Sequence, residues 1–227
     1  MKNNKKVNFD EFVEDYDELL NENTAFFAKD DSYFAKYKID LMSVNISSSP
    51  LRILEYGSGT GRNIPFIIEK YPNAEVYAFD ISQESLKVIN ESLPNVKTFF
   101  EITEFNNYFE YFDLIYIAGV YHHIAPELRE DVTAGIYRML KSGGELFVFE
   151  HNPYNFVTKK LVENCIYDAD AILVKPFELK DLLLKASFKY SLCKYYLFFP
   201  PVTKLQWVEK YMHYIPLGGQ YMVKMVK

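Results

Sequence analysis

LRILEYGSGTGR, Leu51 to Arg62, is the stretch on which the reading of this chain turns. An apolar run, Leu51, Ile53 and Leu54, ends in the acidic Glu55. Glycines then fall at every second position, Gly57, Gly59 and Gly61. A short apolar run with branched side chains, closed by glycines, predicts a buried strand entering a tight turn. From Asn63 to Tyr71 the apolar residues Ile64, Phe66, Ile67 and Ile68 follow helical spacing, with Glu69 and Lys70 polar. The glycines thus sit between a strand and a helix. Lacking Cβ atoms, they let the backbone approach a ligand closely and take positive φ. The first N–H groups of the helix point into the same crevice.

The spacing says what can bind. A dinucleotide fingerprint has the form G-x-G-x-x-G. Here the third glycine comes one residue early, and Arg62 stands where that fingerprint needs Gly. Glu55 would repel a pyrophosphate and suits a cation instead. The pattern E-x-G-x-G-x-G resembles motif I of class I S-adenosylmethionine-dependent methyltransferases, whose cofactor carries an amino acid and a sulfonium. Taken alone, the turn also reads as a plain structural strand-to-helix connection.

The chain has 227 residues, room for one domain with a sizeable core. Its net charge is −6 and no long basic stripe offsets it, which argues against nucleic acid as a partner. No apolar run follows the Lys-rich start and no long apolar stretch occurs anywhere. Neither a signal peptide nor a membrane span is expected, and the expected location is the cytoplasm. Cys165 and Cys193 stand alone, without CxxC or His-rich spacing, and read as free thiols.

Ahead of the turn, Phe9, Phe12, Val13, Tyr16, Leu19 and Leu20 recur at helical spacing, and a second helix is predicted over Asp31 to Met42. Both precede the first strand and lie outside the α/β core, as a cap over the crevice or as cover for one sheet edge. Beyond the turn, EVYAFD places Asp80 at the end of a second strand, and Asn95 to Phe100 reads as a third. FDLIYIA, Phe112 to Ala118, is nearly continuously apolar, as a central parallel strand should be. A helix over Glu127 to Leu140, ended by Lys141-Ser142-Gly143-Gly144, leads to a fifth strand at Glu145 to Phe149. Phe188 to Phe199 and Gly219 to Val226 read as the last two strands, separated by one helix carrying Trp207, Val208 and Tyr211.

Four motifs in order, EYGSGTG, FDIS, FDLIYIAGVYHHI and LKSGGELFVFE, carry the resemblance to class I methyltransferases across roughly half the chain. That resemblance implies an α/β, Rossmann-like three-layer sandwich with an N-terminal helical cap. Its seven-stranded sheet is mostly parallel, the last strand antiparallel and inserted between strands five and six. It implies a single methyltransferase domain over 1–227, with the cap in 1–49, the cofactor core in 50–151, and substrate-side helices and the last two strands in 152–227. The implied cofactor is S-adenosyl-L-methionine, leaving as S-adenosyl-L-homocysteine. Its implied contacts are Glu55, Gly57, Ser58, Gly59 and Gly61 around the turn, Asp80 and Ile81 at the ribose, Glu101 and Ile102 at the adenine, and Ala118 after the fourth strand. Tyr16, with Tyr33 and Tyr37, would close over the methionine part, and Lys38 would meet its carboxylate. Asp80 as a helix N-cap (a duty Ser82 can also fill) and Glu101 as an exposed loop charge stay open as alternatives.

Methyl transfer to a hydroxyl needs alignment and a base. Candidate bases follow strands four and five: His122 and His123 on one side, then Glu150, His151 and Asn152 on the other. Histidine is the natural base near neutral pH, and the three histidines are the catalytic candidates. Any of them can instead cap a loop. The E-H-N-P run resembles a bacterial subgroup of small methyltransferases, several tied to cell-surface glycan or secondary-metabolite genes. Asn152, Asn155 and Thr158 either hydrogen-bond an oxygen-rich acceptor or shape turns.

The expected function is O-methylation of a small polar metabolite. A sugar, a nucleotide-linked sugar or a capsule or surface-glycan precursor fits, with a phosphate- or phosphoramidate-type group as a further acceptor. The expected partner is that small molecule, with no nucleic acid and no membrane, and the chain is expected as a monomer or homodimer. An N-methyltransferase of a small metabolite and a non-catalytic methyltransferase-like subunit are the alternatives. An NAD-dependent oxidoreductase is disfavoured by Glu55 and Arg62. No metal is expected, because no carboxylate pair is visible beside the histidines in the sequence.

Overall fold

The computed structural model describes residues 7, 10, 32–200 and 203–227. Seven strands form one sheet: β1 (Arg52–Tyr56), β2 (Glu75–Phe79), β3 (Lys97–Phe99), β4 (Phe112–Ala118), β5 (Leu140–His151), β6 (Lys189–Tyr196) and β7 (Gln220–Val226). Their order is β3-β2-β1-β4-β5-β7-β6. Strands β1 to β5 pair in parallel. β7 lies between β5 and β6 and runs antiparallel to both, as the motifs imply.

Alternation along the central strands sends neighbouring side chains to opposite faces, so each face builds its own core. Leu54, Ile115 and Ile117 join one core, with Ile136 and Met139 of α4 (Arg129–Met139) and Leu179 and Leu183 of α6 (Pro176–Lys185). Ile53, Leu114 and Tyr116 join the other. That second core is covered by α1 (Ser32–Ser43), α2 (Ile64–Lys70) and α3 (Gln83–Ser92), which contribute Ile39, Ile67 and Leu86 among others. The result is helix, sheet, helix. Two further helices, α5 (Phe156–Asn164) and α7 (Thr203–Glu209), lie on the far side of β5 in sequence.

Several predicted boundaries move. Lys141 to Gly144 do not end a helix; α4 stops at Met139 and β5 starts at Leu140. The glycine pair is drawn into the sheet because Gly143 N–H donates to Lys227 O and Lys227 N–H to Gly144 O. Lys141 is held in turn by an ion pair to Asp113. α4 is preceded by a 3₁₀ turn at Pro126–Leu128, and Tyr211 falls after α7. The predicted helix around Phe9 to Leu20 lies outside the described residues.

One buried ion pair ties the α1–β1 connection to the sheet. Lys224 of β7 and Glu145 of β5 are each 4% exposed, with Nζ 2.6 Å from Oε1. The same Nζ donates to Asn45 O and Ser47 Oγ, and Glu145 accepts the Ser47 N–H. Cys165 and Cys193 are free thiols, as expected.

Candidate functional site

The strand order reverses between β1 and β4, and a crevice at such a switch point is where open α/β sheets bind ligands. Gly57, straight after β1, has φ +75°, and a Cβ there would lie 2.3 Å from Val120 Cγ2. The turns after β1 and β4 therefore touch, and only glycine permits it. Gly59, at φ +50°, has nothing within 4 Å of where its Cβ would be, so its backbone faces open space. Gly61 completes the turn, its N–H donating to Ser58 O.

Asp80 staples this turn to the end of β2. Its Oδ2 accepts the Gly59 N–H at 2.7 Å and its Oδ1 the Ser82 N–H at 2.8 Å. The N-cap of α3 is Ser82, whose hydroxyl accepts from Ser85 N–H, so that alternative for Asp80 falls away. A carboxylate oxygen accepts more than one hydrogen bond, and both Asp80 oxygens keep capacity for ribose hydroxyls. Burial raises the Asp80 carboxyl above its ordinary range despite these N–H donors. Ile81 beside it is exposed.

Glu55, at the end of β1, is 1% exposed. Its Oε1 accepts from Asn63 Nδ2 at 2.6 Å, while its Oε2 has no hydrogen-bond partner among the described residues. Burial pushes its carboxyl up to about 8, against the pull of Asn63 and Lys38. Burial also brings the Lys38 ammonium down to about 8. The hydroxyls of Ser58 and Thr60 are likewise buried without hydrogen-bond partners among the described residues. Buried polar atoms are normally satisfied, and three unsatisfied ones along one glycine turn mark a place built for a polar, cationic ligand. These residues fit S-adenosylmethionine.

The remaining cofactor candidates spread along the same edge. Ala118 ends β4, half-buried. Glu101 and Ile102 are exposed after β3, where Glu101 caps a 3₁₀ turn and accepts from Thr103 Oγ1. Tyr16 lies outside the described residues. Tyr37 is turned to other work: its hydroxyl donates to Glu209 and its ring stacks on Tyr196. Val7 N–H donates to Asp170 Oδ2, and Asp10 accepts from Ser82 Oγ, so both described residues of the N-terminal segment touch the rim of the crevice.

Across the crevice, β4 and β5 deliver the histidines. His122 Nδ1 is 2.6 Å from Glu150 Oε2, both fully buried, and Glu150 also accepts the N–H groups of Val120 and Tyr121. Glu150 is thus an anchor for the β4 turn, not a free base. Burial alone would lower the His122 imidazole, but Glu150 and Asp168 outweigh it and raise it. Glu150 is correspondingly held low by His122 against its own burial. His123 Nδ1 lies 3.1 Å from Asp170 Oδ1. His122 Nε2 and His123 Nε2 converge on Asp168 Oδ1, at 3.5 Å and 3.4 Å. Asp168 is held well below the usual carboxylate range by the two histidines despite burial. The His151 ring is 5.1 Å from that of His122, and burial, then the His122 charge, lowers it to about 4, so it is neutral at pH 7.

One expectation is corrected here, and one open alternative is resolved. Carboxylates do stand beside the histidines: Glu150, Asp168 and Asp170. The two aspartates come from the segment after α5, and nothing in their spacing announced it. The Asn/Thr set is structural. Asn152 Nδ2 donates to Pro216 O and Gly218 O, Asn155 caps α5 and donates to Leu217 O, and the Thr158 hydroxyl donates to Gly219 O. Those side chains hold the β7 approach in place.

Known proteins share this domain and this fold. Residues 53–144 match the family model described as Methyltransferase domain. No curated protein matches the chain by sequence. Among solved structures, it is similar to a SAM-dependent methyltransferase from Archaeoglobus fulgidus: TM-score 0.70, 16% identity, covering 94% of this chain and 100% of that one. It is also similar to a SAM-dependent methyltransferase from Thermotoga maritima described as a possible histamine N-methyltransferase: TM-score 0.68, 19% identity, covering 96% and 97%. A third is an O-methyltransferase family protein from Burkholderia thailandensis: TM-score 0.68, 11% identity, covering 100% of this chain and 65% of that one. With a methyltransferase domain and this fold, the chain is a methyltransferase enzyme whose cofactor is S-adenosylmethionine. Among the described residues no helix is long and apolar enough to cross a membrane.

Proposed function

We propose that the enzyme moves the cofactor's methyl group to an oxygen of a small polar acceptor seated over His122, His123 and His151. In this reading the acceptor oxygen forms the new O–C bond, the S–C bond breaks, and the sulfonium becomes the neutral thioether of S-adenosylhomocysteine. The hydroxyl proton is given up at the histidine cluster. The observation that supports it is the gathering of three imidazoles and three carboxylates at the ends of β4 and β5, beside the glycine turn. A sugar, nucleotide-linked sugar or surface-glycan precursor is the acceptor class, on the resemblance of Glu150-His151-Asn152-Pro153 to the glycan-linked subgroup.

Methyl-labelled cofactor offered with a panel of sugars, nucleotide sugars and small amines tests it. Label is expected on a sugar hydroxyl. Label on amines alone would overturn oxygen as the acceptor atom.

At the cofactor end, Glu55 is the carboxylate we assign to the cofactor's cationic amino-acid part, with Asp80 at the ribose and Lys38 facing the carboxylate. Glu55 is mostly protonated below pH 8 in the free protein. A cation placed against its Oε2 lowers that pKa, so binding must expel a proton at pH between the bound and free values. Lys38 is already charged at pH 6.5, so it does not offset the release. Calorimetry at pH 6.5 in buffers of different ionisation enthalpy should show release of about one proton per S-adenosylhomocysteine bound. The release should vanish in Glu55→Gln. Equal enthalpies in all buffers for the wild type would remove Glu55 from the cofactor site.

A further inference from the structure

We infer that His122, His123 and Asp168 hold a divalent transition-metal ion, Zn²⁺ in preference to Mg²⁺, at the acceptor end of the crevice. The three donor atoms lie within 4.8 Å of one another. Asp168 Oδ1 stands 3.5 Å from His122 Nε2 and 3.4 Å from His123 Nε2. That is long for a charge-assisted hydrogen bond, which closes to about 2.7–2.9 Å. It is the edge of a coordination tetrahedron: with donor–metal lengths of about 2.0–2.2 Å, neighbouring donors stand about 3.4 Å apart. Where nothing needs room, a carboxylate here does close up, as Glu150 does on His122 at 2.6 Å.

The outer shell is equally specific. Metal-bound histidines hand their other ring nitrogen to a carboxylate or carbonyl, which fixes the ring's direction. Both histidines do so: His122 Nδ1 to Glu150 and His123 Nδ1 to Asp170. Each Nδ1 is thereby occupied and each Nε2 turned inward to the same Asp168 oxygen. Two of three donors are imidazole, which selects a borderline ion such as Zn²⁺ over oxygen-seeking Mg²⁺. Three protein ligands leave a tetrahedral position open, the mark of a catalytic site. An acceptor hydroxyl in that position would give up its proton more readily at the same cluster and attack the methyl carbon as an alkoxide. That the ion meets the acceptor rests on the acceptor site proposed above; that the ion binds does not.

Chelator-stripped full-length chain titrated with ZnCl₂ should take up one equivalent per chain, with no uptake of MgCl₂, read by calorimetry and by metal analysis after desalting. Asp168→Asn and His123→Gln should each weaken Zn²⁺ binding at least 100-fold. Asp170→Asn should weaken it about 10–100-fold through His123. His213→Gln, on a distant hydrogen bond to Tyr195 O, should leave it unchanged. S-adenosylhomocysteine binding, measured on the same samples, reports that each variant is folded. Absence of stoichiometric Zn²⁺ in the wild type, or undiminished binding in folded Asp168→Asn, overturns the site. Sugar methylation by a metal-free chain would overturn the ion's part in the reaction alone. Zinc binding with methylation of amines only would overturn the oxygen acceptor alone.

Discussion

Replacing His123 with Ala should lower the turnover of methyl transfer about 10²–10⁴-fold. In barrier terms that is about 3–5 kcal/mol. The residue is singled out by what holds it: Asp170 on one ring nitrogen and Asp168 near the other, with its side chain still partly open to the crevice. The aspartates that hold it come from the segment after α5 and not from the glycine turn, so S-adenosylhomocysteine affinity should not change. Whether the imidazole takes the proton itself or carries an ion, its removal disarms the acceptor end. Single-turnover measurements at saturating cofactor isolate this step. Near wild-type turnover in His123→Ala would exclude His123 from the chemistry, and the same result in His151→Ala would exclude His151.

Lys224→Met should destabilise the fold by about 3–5 kcal/mol, the usual result of removing one partner from a buried ion pair. Glu145, 4% exposed, would be left without its cation, with the Ser47 N–H as its remaining donor among the described residues. Asn45 O and Ser47 Oγ would lose the ammonium as donor at the same time. Urea unfolding gives the value, and the double change Lys224→Met with Glu145→Leu should recover much of the loss, since an apolar pair needs no counter-charge. A cost below about 1 kcal/mol for the single change would mean that water reaches the pair and screens it.

The fold was legible because its strongest signals are local. Each of β1 and β2 is a short apolar run closed by a residue at the start of a turn, so Gly57 and Asp80 could be placed at the strand ends from the sequence pattern. The histidines were legible for the same reason, since His122, His123 and His151 directly follow strands that had already been found. What could not be read was side-chain company across long separations. Asp168 and Asp170 meet the histidines only because the segment after α5 folds back over β4, and no periodicity records that. Asn152, Asn155 and Thr158 carry the polar chemistry of a sugar pocket, yet tertiary packing spends it on the carbonyls of residues 216–219. The Lys224–Glu145 ion pair likewise joins two strands far apart in sequence, which no local pattern connects.

The place of β7 between β5 and β6 also dictates the order in which the sheet can be finished as the chain leaves the ribosome. Strands β1 to β5 find their parallel neighbours among residues already made. β6 does not, because the seat beside β5 belongs to a strand not yet synthesised. Until residues 220–226 emerge, β5 presents an open edge carrying Leu146 and Val148, and β6 has no partner at all. Open edges of that kind recruit other chains. Closure then comes as one late event, β6 and β7 joining as an antiparallel pair that docks on β5. The nascent protein is therefore most exposed to misassembly in that interval, after nearly all of its cofactor core has been made.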